Sequence, residues 1–177
     1  MVFGVSVDQR FIDTGEFTRL GRQLQGQVEL QSLSRLVSDL PDQGGAKASW
    51  DVRGLQDAAG QAMLEVRVTA TLILECQRCV QPMAWPVEAY SRLLVVESEE
   101  GLEARDDLAE SPDDWVEPVL ASARLDVLEL VEDELILALP AIPLHAHCEH
   151  PAGPADAPDD APERVSAFEA LRRLKKN

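Results

Sequence analysis

Three cysteines and three histidines carry most of the chemistry this sequence can offer. Cys76-Gln77-Arg78-Cys79 sets two thiols at the spacing that lets one turn present both sulfurs to a single metal ion. Cys148 comes much later, inside HAHCEH, with His145, His147 and His150 around it. Zinc takes four soft or borderline donors, and three cysteines with one histidine supply that number. His147 or His150 is the natural fourth, so the expected structural zinc set is Cys76, Cys79, Cys148 and His147. The competing reading is plain burial, because Cys76 continues the inward parity of the residues before it. A thiol redox pair wants its first sulfur at a helix N-terminus, whereas here a strand pattern precedes the pair and Pro82 follows it. No Gly-rich phosphate loop and no serine elbow occurs, and the carboxylates gather in polar stretches. The chain reads as a non-enzyme without a small-molecule substrate.

The cysteine pair needs a frame, and the clearest piece of it lies just upstream. Ala62, Leu64, Val66, Val68, Ala70, Leu72 and Leu74 alternate with mostly polar residues, which predicts a half-buried antiparallel strand from Gln61 to Glu75. Ala48 to Leu55 reads as its partner across a turn near Asp57 to Gly60, and Met83 to Val96 as the next strand. Pro82 and Pro86 lack an amide hydrogen, so the start of that third strand belongs at an edge or an irregularity. The strands together read as a meander. Asp13 to Gly26 reads as a solvated connection. Leu30, Leu33, Leu36, Val37 and Leu40 recur at steps of three and four and predict one helix, stopped by Pro41 and Gly44–Gly45. A second helix is predicted from Asp126, its N-cap, to Leu139, with Leu128, Val131, Leu135 and Leu139 inward and Glu129, Glu132 and Asp133 outward. Pro140 ends it.

Charge divides the 177 residues unevenly. The formal total is −16, with a pI near 4.4. Residues 1–92 sum to −2, residues 93–163 to −18 and residues 164–177 to +4. A field of that sign repels phosphate backbones over most of the surface and suits basic protein partners. Residues 97–117 carry 10 acidic side chains and one arginine, and read as a solvated acidic loop. Residues 151–163 form a Pro/Asp-rich linker, and 164–177 a short basic amphipathic helix with Val165, Phe168, Leu171 and Leu174 on one face. The expected architecture is therefore a single α+β domain over 1–150. An antiparallel sheet carries the Cys-x-x-Cys turn and packs on two or three amphipathic helices, with a flexible C-terminal tail. No apolar run is long enough to span a membrane and the N-terminus has no signal-peptide pattern, so a cytoplasmic protein with reduced thiols is expected.

LILECQRCVQPM (Leu72 to Met83), LVEDELILALPAIPLHAHCEH (Leu130 to His150) and the closing FEALRRLKK together resemble the bacterial YceD family, the large ribosomal RNA subunit accumulation proteins. The resemblance implies a cytoplasmic, non-catalytic role in synthesis, processing or stability of 23S ribosomal RNA. Some branches of the family carry a second close cysteine pair near the C-terminal motif, where this chain has Cys148 alone, so a zinc site here requires a histidine. Joined to the charge pattern, the resemblance implies contact with basic proteins of the large subunit. The Glu97–Glu117 stretch and the helix face bearing Glu129, Glu132 and Asp133 would make that contact. The alternative is direct contact with ribosomal RNA through the cysteine turn and Arg172, Arg173, Lys175 and Lys176.

Overall fold

The alternation from Ala62 to Leu74 forms the central strand of a five-stranded sheet. The computed structural model describes residues 10–106 and 116–147. In chain order the elements are β1 (Phe11–Ile12), α1 (Thr14–Arg19), β2 (Gln23–Glu29), a 3-10 turn (Leu30–Ser32) and α2 (Ser34–Val37). Then come β3 (Lys47–Gln56), β4 (Ala62–Glu75), β5 (Pro82–Val96), α3 (Glu99–Asp106), β6 (Glu117–Leu120), β7 (Leu125–Asp126) and α4 (Val127–Leu137). The sheet runs β2-β3-β4-β5-β6, and β1 pairs with β7 in a separate two-stranded ribbon. Leu64, Val66, Val68, Leu72 and Leu74 of β4 face the core with Trp50 and Val52 of β3, against Val127, Val131 and Leu135 of α4. The middle of the opposite face is polar, while Met63 and Leu94 are buried toward one end of it. Arg53, Glu65 and Arg92 stand side by side across it, and the Arg67 guanidinium lies 4.7 Å over the Tyr90 ring. Opposite charges on neighbouring strands support such a face without an apolar cover.

The α+β class and the antiparallel β3-β4-β5 core match what the sequence predicts; four local expectations do not. The solvated connection from Asp13 to Gly26 instead folds. Asp13 caps α1 by accepting the Glu16 amide at 2.8 Å, and Gln23–Glu29 pairs along β3 from Arg53 to Lys47. A Cβ on Gly26 would stand 2.8 Å from the Trp50 ring, so the glycine is what lets β2 pass that indole. The helix predicted across Leu30 to Leu40 is broken up, because Val28 and Glu29 bond to the sheet and only Ser34–Val37 remains α-helical. The meander stops at β5, since β6 joins parallel to it, opposite Leu93 to Val96. Finally, the acidic stretch 97–117 contains α3, whose first turn holds Glu99 and Glu100 near the positive end of the helix dipole. Residues 107–115 of that stretch, the linker 151–163 and the expected helix 164–177 lie outside the described residues.

The prolines fall where their missing amides cost least. Pro82 and Pro86 pair only with β4, at Glu75 and Thr71, while β6 covers β5 from Leu93 onward. Among the described residues the first part of β5 is thus an edge. At the far side, Asp126 closes the ribbon and starts α4. Its Oδ1 accepts the Leu128 amide at 3.0 Å, and Arg10 donates to both oxygens at 2.9 and 2.8 Å.

Glu132 is not on an outward face. It is 6% exposed and reaches the start of α2, whose N-cap residue Leu33 offers no side-chain acceptor. Glu132 Oε1 accepts the amides of Arg35 and Leu36 at 2.7 and 3.1 Å, and Oε2 accepts from Arg35 Nε at 3.1 Å. A carboxylate from α4 therefore does the capping that the local sequence cannot. Asp133 pairs with Arg35 Nη1 at 2.8 Å, and Glu129 remains exposed. Glu134 is also buried and accepts a hydrogen bond from the Ser91 hydroxyl. Burial pushes its carboxyl above the ordinary range; Ser91 opposes this, and the negative charges of Glu117 and Asp133 add to it.

Two stability measurements follow from α4. Glu132→Ala strips the amides of Arg35 and Leu36 and one guanidinium of their acceptor and should cost about 3 kcal/mol in urea unfolding, while Glu129→Ala should cost under about 1 kcal/mol. Equal losses would show that the cap is not specific to Glu132. Glu134 has its folded-state pKa raised, so its favourable contribution is fully present below the unfolded value and disappears as pH rises through the folded one. Glu134→Gln should therefore melt higher than the native chain at neutral pH. That advantage should close as the pH falls below the ordinary carboxyl value of 4.5.

Candidate metal centre at the cysteine turn

Residues 76–81 form the tight connection between β4 and β5, the two longest strands. Cys76 donates its amide to the Gln81 carbonyl at 3.0 Å and accepts the Val80 amide on its own carbonyl at 2.8 Å. Closing the turn this way puts Val80 at φ 57°, a left-handed conformation that a β-branched side chain disfavours. The backbone amides of Arg78 and Cys79 turn toward the Cys76 sulfur.

The other wall comes from the chain after α4. Pro140 turns it off the helix axis, and the Pro143 carbonyl accepts the Gln77 amide at 3.0 Å, fixing this segment against the turn. Arg78 Nη2 donates to the His145 carbonyl at 3.2 Å. His145 is then held by both ends. Its amide donates to Cys76 Sγ at 3.4 Å, and its Nδ1 lies 3.4 Å from Cys79 Sγ. The sulfurs of Cys76 and Cys79 and a ring nitrogen of His145 all lie within 4.8 Å of one another.

Burial alone would raise the Cys76 thiol, which is fully enclosed. The amides of His145, Cys79 and Arg78, together with the His145 side chain, outweigh that penalty and bring it down to about 5. Amide hydrogens aimed at a sulfur stabilise the thiolate, the form that binds metals. Cys79 is part-exposed, so the pocket is closed behind Cys76 and open beside Cys79. Two soft sulfurs and one imidazole form a donor set that suits zinc better than hard cations.

Of the sequence-predicted ligands, Cys76 and Cys79 meet here. The histidine that joins them is His145, whereas His147, although described, is not part of the group. The sequence offered His147 or His150 as the fourth donor. The signal for His145 was its spacing, because His145 and Cys148 stand as far apart in sequence as Cys76 and Cys79. Cys148, Arg172, Arg173, Lys175 and Lys176 lie outside the described residues. Glu129 and Asp133 face solvent on α4, and Glu132 is withdrawn into the α2 cap.

A family model described as large ribosomal RNA subunit accumulation protein YceD matches residues 64–175, a span that includes β4, the cysteine turn and α4. The large ribosomal RNA subunit accumulation protein YceD of Haemophilus influenzae is 32% identical over 120 residues, which cover 64% of this chain and 65% of that relative. The chain thus aligns with about two thirds of the relative's length. No solved structure matches the chain. With most of the described sheet, the cysteine turn and the Leu-Pro end of α4 inside the matched span, the chain belongs to the YceD family of large ribosomal RNA subunit accumulation proteins.

Proposed function

We propose that this protein supports accumulation of large-subunit ribosomal RNA as a non-enzymatic factor, acting through contacts between its acidic surface and basic proteins of the large subunit. Family membership carries the reading. The acidic surface gives it a mechanism. Glu129 and Asp133 are exposed on α4, and Glu117 and Asp133 lie near enough to Glu134 to raise its carboxyl by repulsion. Asp133, Glu134 and Glu117 come together on this side, whereas the polar part of the sheet alternates in sign. Carboxylates held close together extend a negative potential that draws basic partners in and weakens as salt rises. The 23S species, and the choice among synthesis, processing and stability, belong to the same proposal, as does a cytoplasmic location. No helix among the described residues is long and apolar enough to cross a membrane.

The test is capture of tagged full-length protein from bacterial extract, with and without nuclease, at moderate and high salt. The expected result is recovery of large-subunit proteins that survives nuclease and falls as salt rises. Charge reversal at Glu129 and Asp133 should reduce the recovery severalfold. Recovery that nuclease abolishes would favour direct RNA contact through the basic tail. Recovery of no large-subunit component under any condition would overturn the proposal.

A further inference from the structure

We propose that Cys76, Cys79 and His145 hold one zinc ion, which fastens the segment after α4 to the β4–β5 turn. The donors come from two stretches of chain about 66 residues apart, and their ligand atoms lie within 4.8 Å of one another. Burying a small cysteine in a core requires no such convergence. The spacing also has the right size. Zinc–sulfur and zinc–nitrogen bonds of about 2.3 and 2.0 Å, at the tetrahedral angle zinc prefers, place sulfur and nitrogen about 3.5 Å apart. Cys79 Sγ and His145 Nδ1 stand 3.4 Å apart, the separation that two donors to one ion take.

Other contacts assemble the three donors without an ion. Gln77 donates its amide to the Pro143 carbonyl and Arg78 its guanidinium to the His145 carbonyl, which together bring the imidazole to the turn. A site formed in advance spends little of its affinity on ordering the chain. The amides of His145, Cys79 and Arg78 point at Cys76 Sγ, as outer hydrogen bonds do around a metal ligand, fixing its direction and offsetting its charge. With Nδ1 on the ion, the ring proton of His145 sits on Nε2. The thiol protons that zinc displaces from Cys76 and Cys79 pass to solvent. Two thiolates and a neutral imidazole cancel the charge of a divalent ion, which suits a site enclosed behind Cys76. None of the three donors is an oxygen, so magnesium and calcium are poor occupants.

Full-length protein, kept reduced and stripped of metal with a chelator, should take up one zinc per chain, read by elemental analysis after desalting. Cobalt(II) in its place should give the intense absorption of a thiolate-ligated ion, which zinc then abolishes. Cys79→Ser and His145→Ala should each weaken zinc binding by about 100-fold or more, at or beyond the upper range for loss of an outer-shell partner. His147→Ala, which removes an imidazole outside the group, should bind as the native chain does. Zinc should raise the Tm of the native chain and of His147→Ala, and leave that of His145→Ala unmoved. Because the cobalt spectrum is recorded on the native chain, it decides the matter even if a cysteine variant fails to fold. The site is overturned by a stoichiometry near zero or by a cobalt spectrum without thiolate bands. Unchanged affinity in His145→Ala, or a loss in His147→Ala in its place, would overturn it equally.

Discussion

The position of α4 depends on one buried carboxylate. Glu132 accepts the amides that begin α2 and so joins two helices that are almost a hundred residues apart in sequence. Neither helix could hold this arrangement alone. α2 is a single turn without its own cap, and such a segment is unstable until something outside it satisfies its first amides. At its other end α4 starts from Asp126, which Arg10 and the β1–β7 ribbon fix in place. With both anchors made, Pro140 releases the chain at one defined point. Pro143 and His145 then fall against the cysteine turn. The geometry at the thiols is thus downstream of how α4 is anchored.

Much of the frame was legible because local pattern and global burial agree there. β4 shows inward and outward parity from Leu64 to Glu75, and α4 has an N-cap, an apolar stripe and a proline shortly after its end. Where the reading failed, a long-range partner overrode a local signal. The leucines at 30, 33 and 36 are all buried, as a helical stripe would have them, yet the backbone bonds of Val28 and Glu29 go to β3. β2 escaped notice because Gln23, Gln25 and Gln27 give a polar strand whose value lies in its neighbour, not in its own hydrophobicity. The parallel pairing of β6 has no signature in a four-residue segment.

The site shows the same division. A Cys-x-x-Cys turn between strands is readable from spacing, since both thiols come from one element. Which histidine faces it depends on how the chain leaves α4 and on the bond from Gln77 to Pro143, neither of which is encoded next to HAHCEH. Glu132 illustrates the limit from the other side: a charged residue on a helix reads as solvated unless its distant acceptor role is known. Family membership and structure meet at these positions, because the matched span runs from β4 through the turn and α4.

The beginning of β5, an edge strand among the described residues, has a further consequence. A bare strand flank invites a second chain to continue the ladder, a hazard for any protein working amid unfolded or half-assembled neighbours. Pro82 and Pro86 deny such a newcomer two of the donors it would need. The edge of the long hairpin can therefore meet crowded surroundings with little risk of seeding polymers.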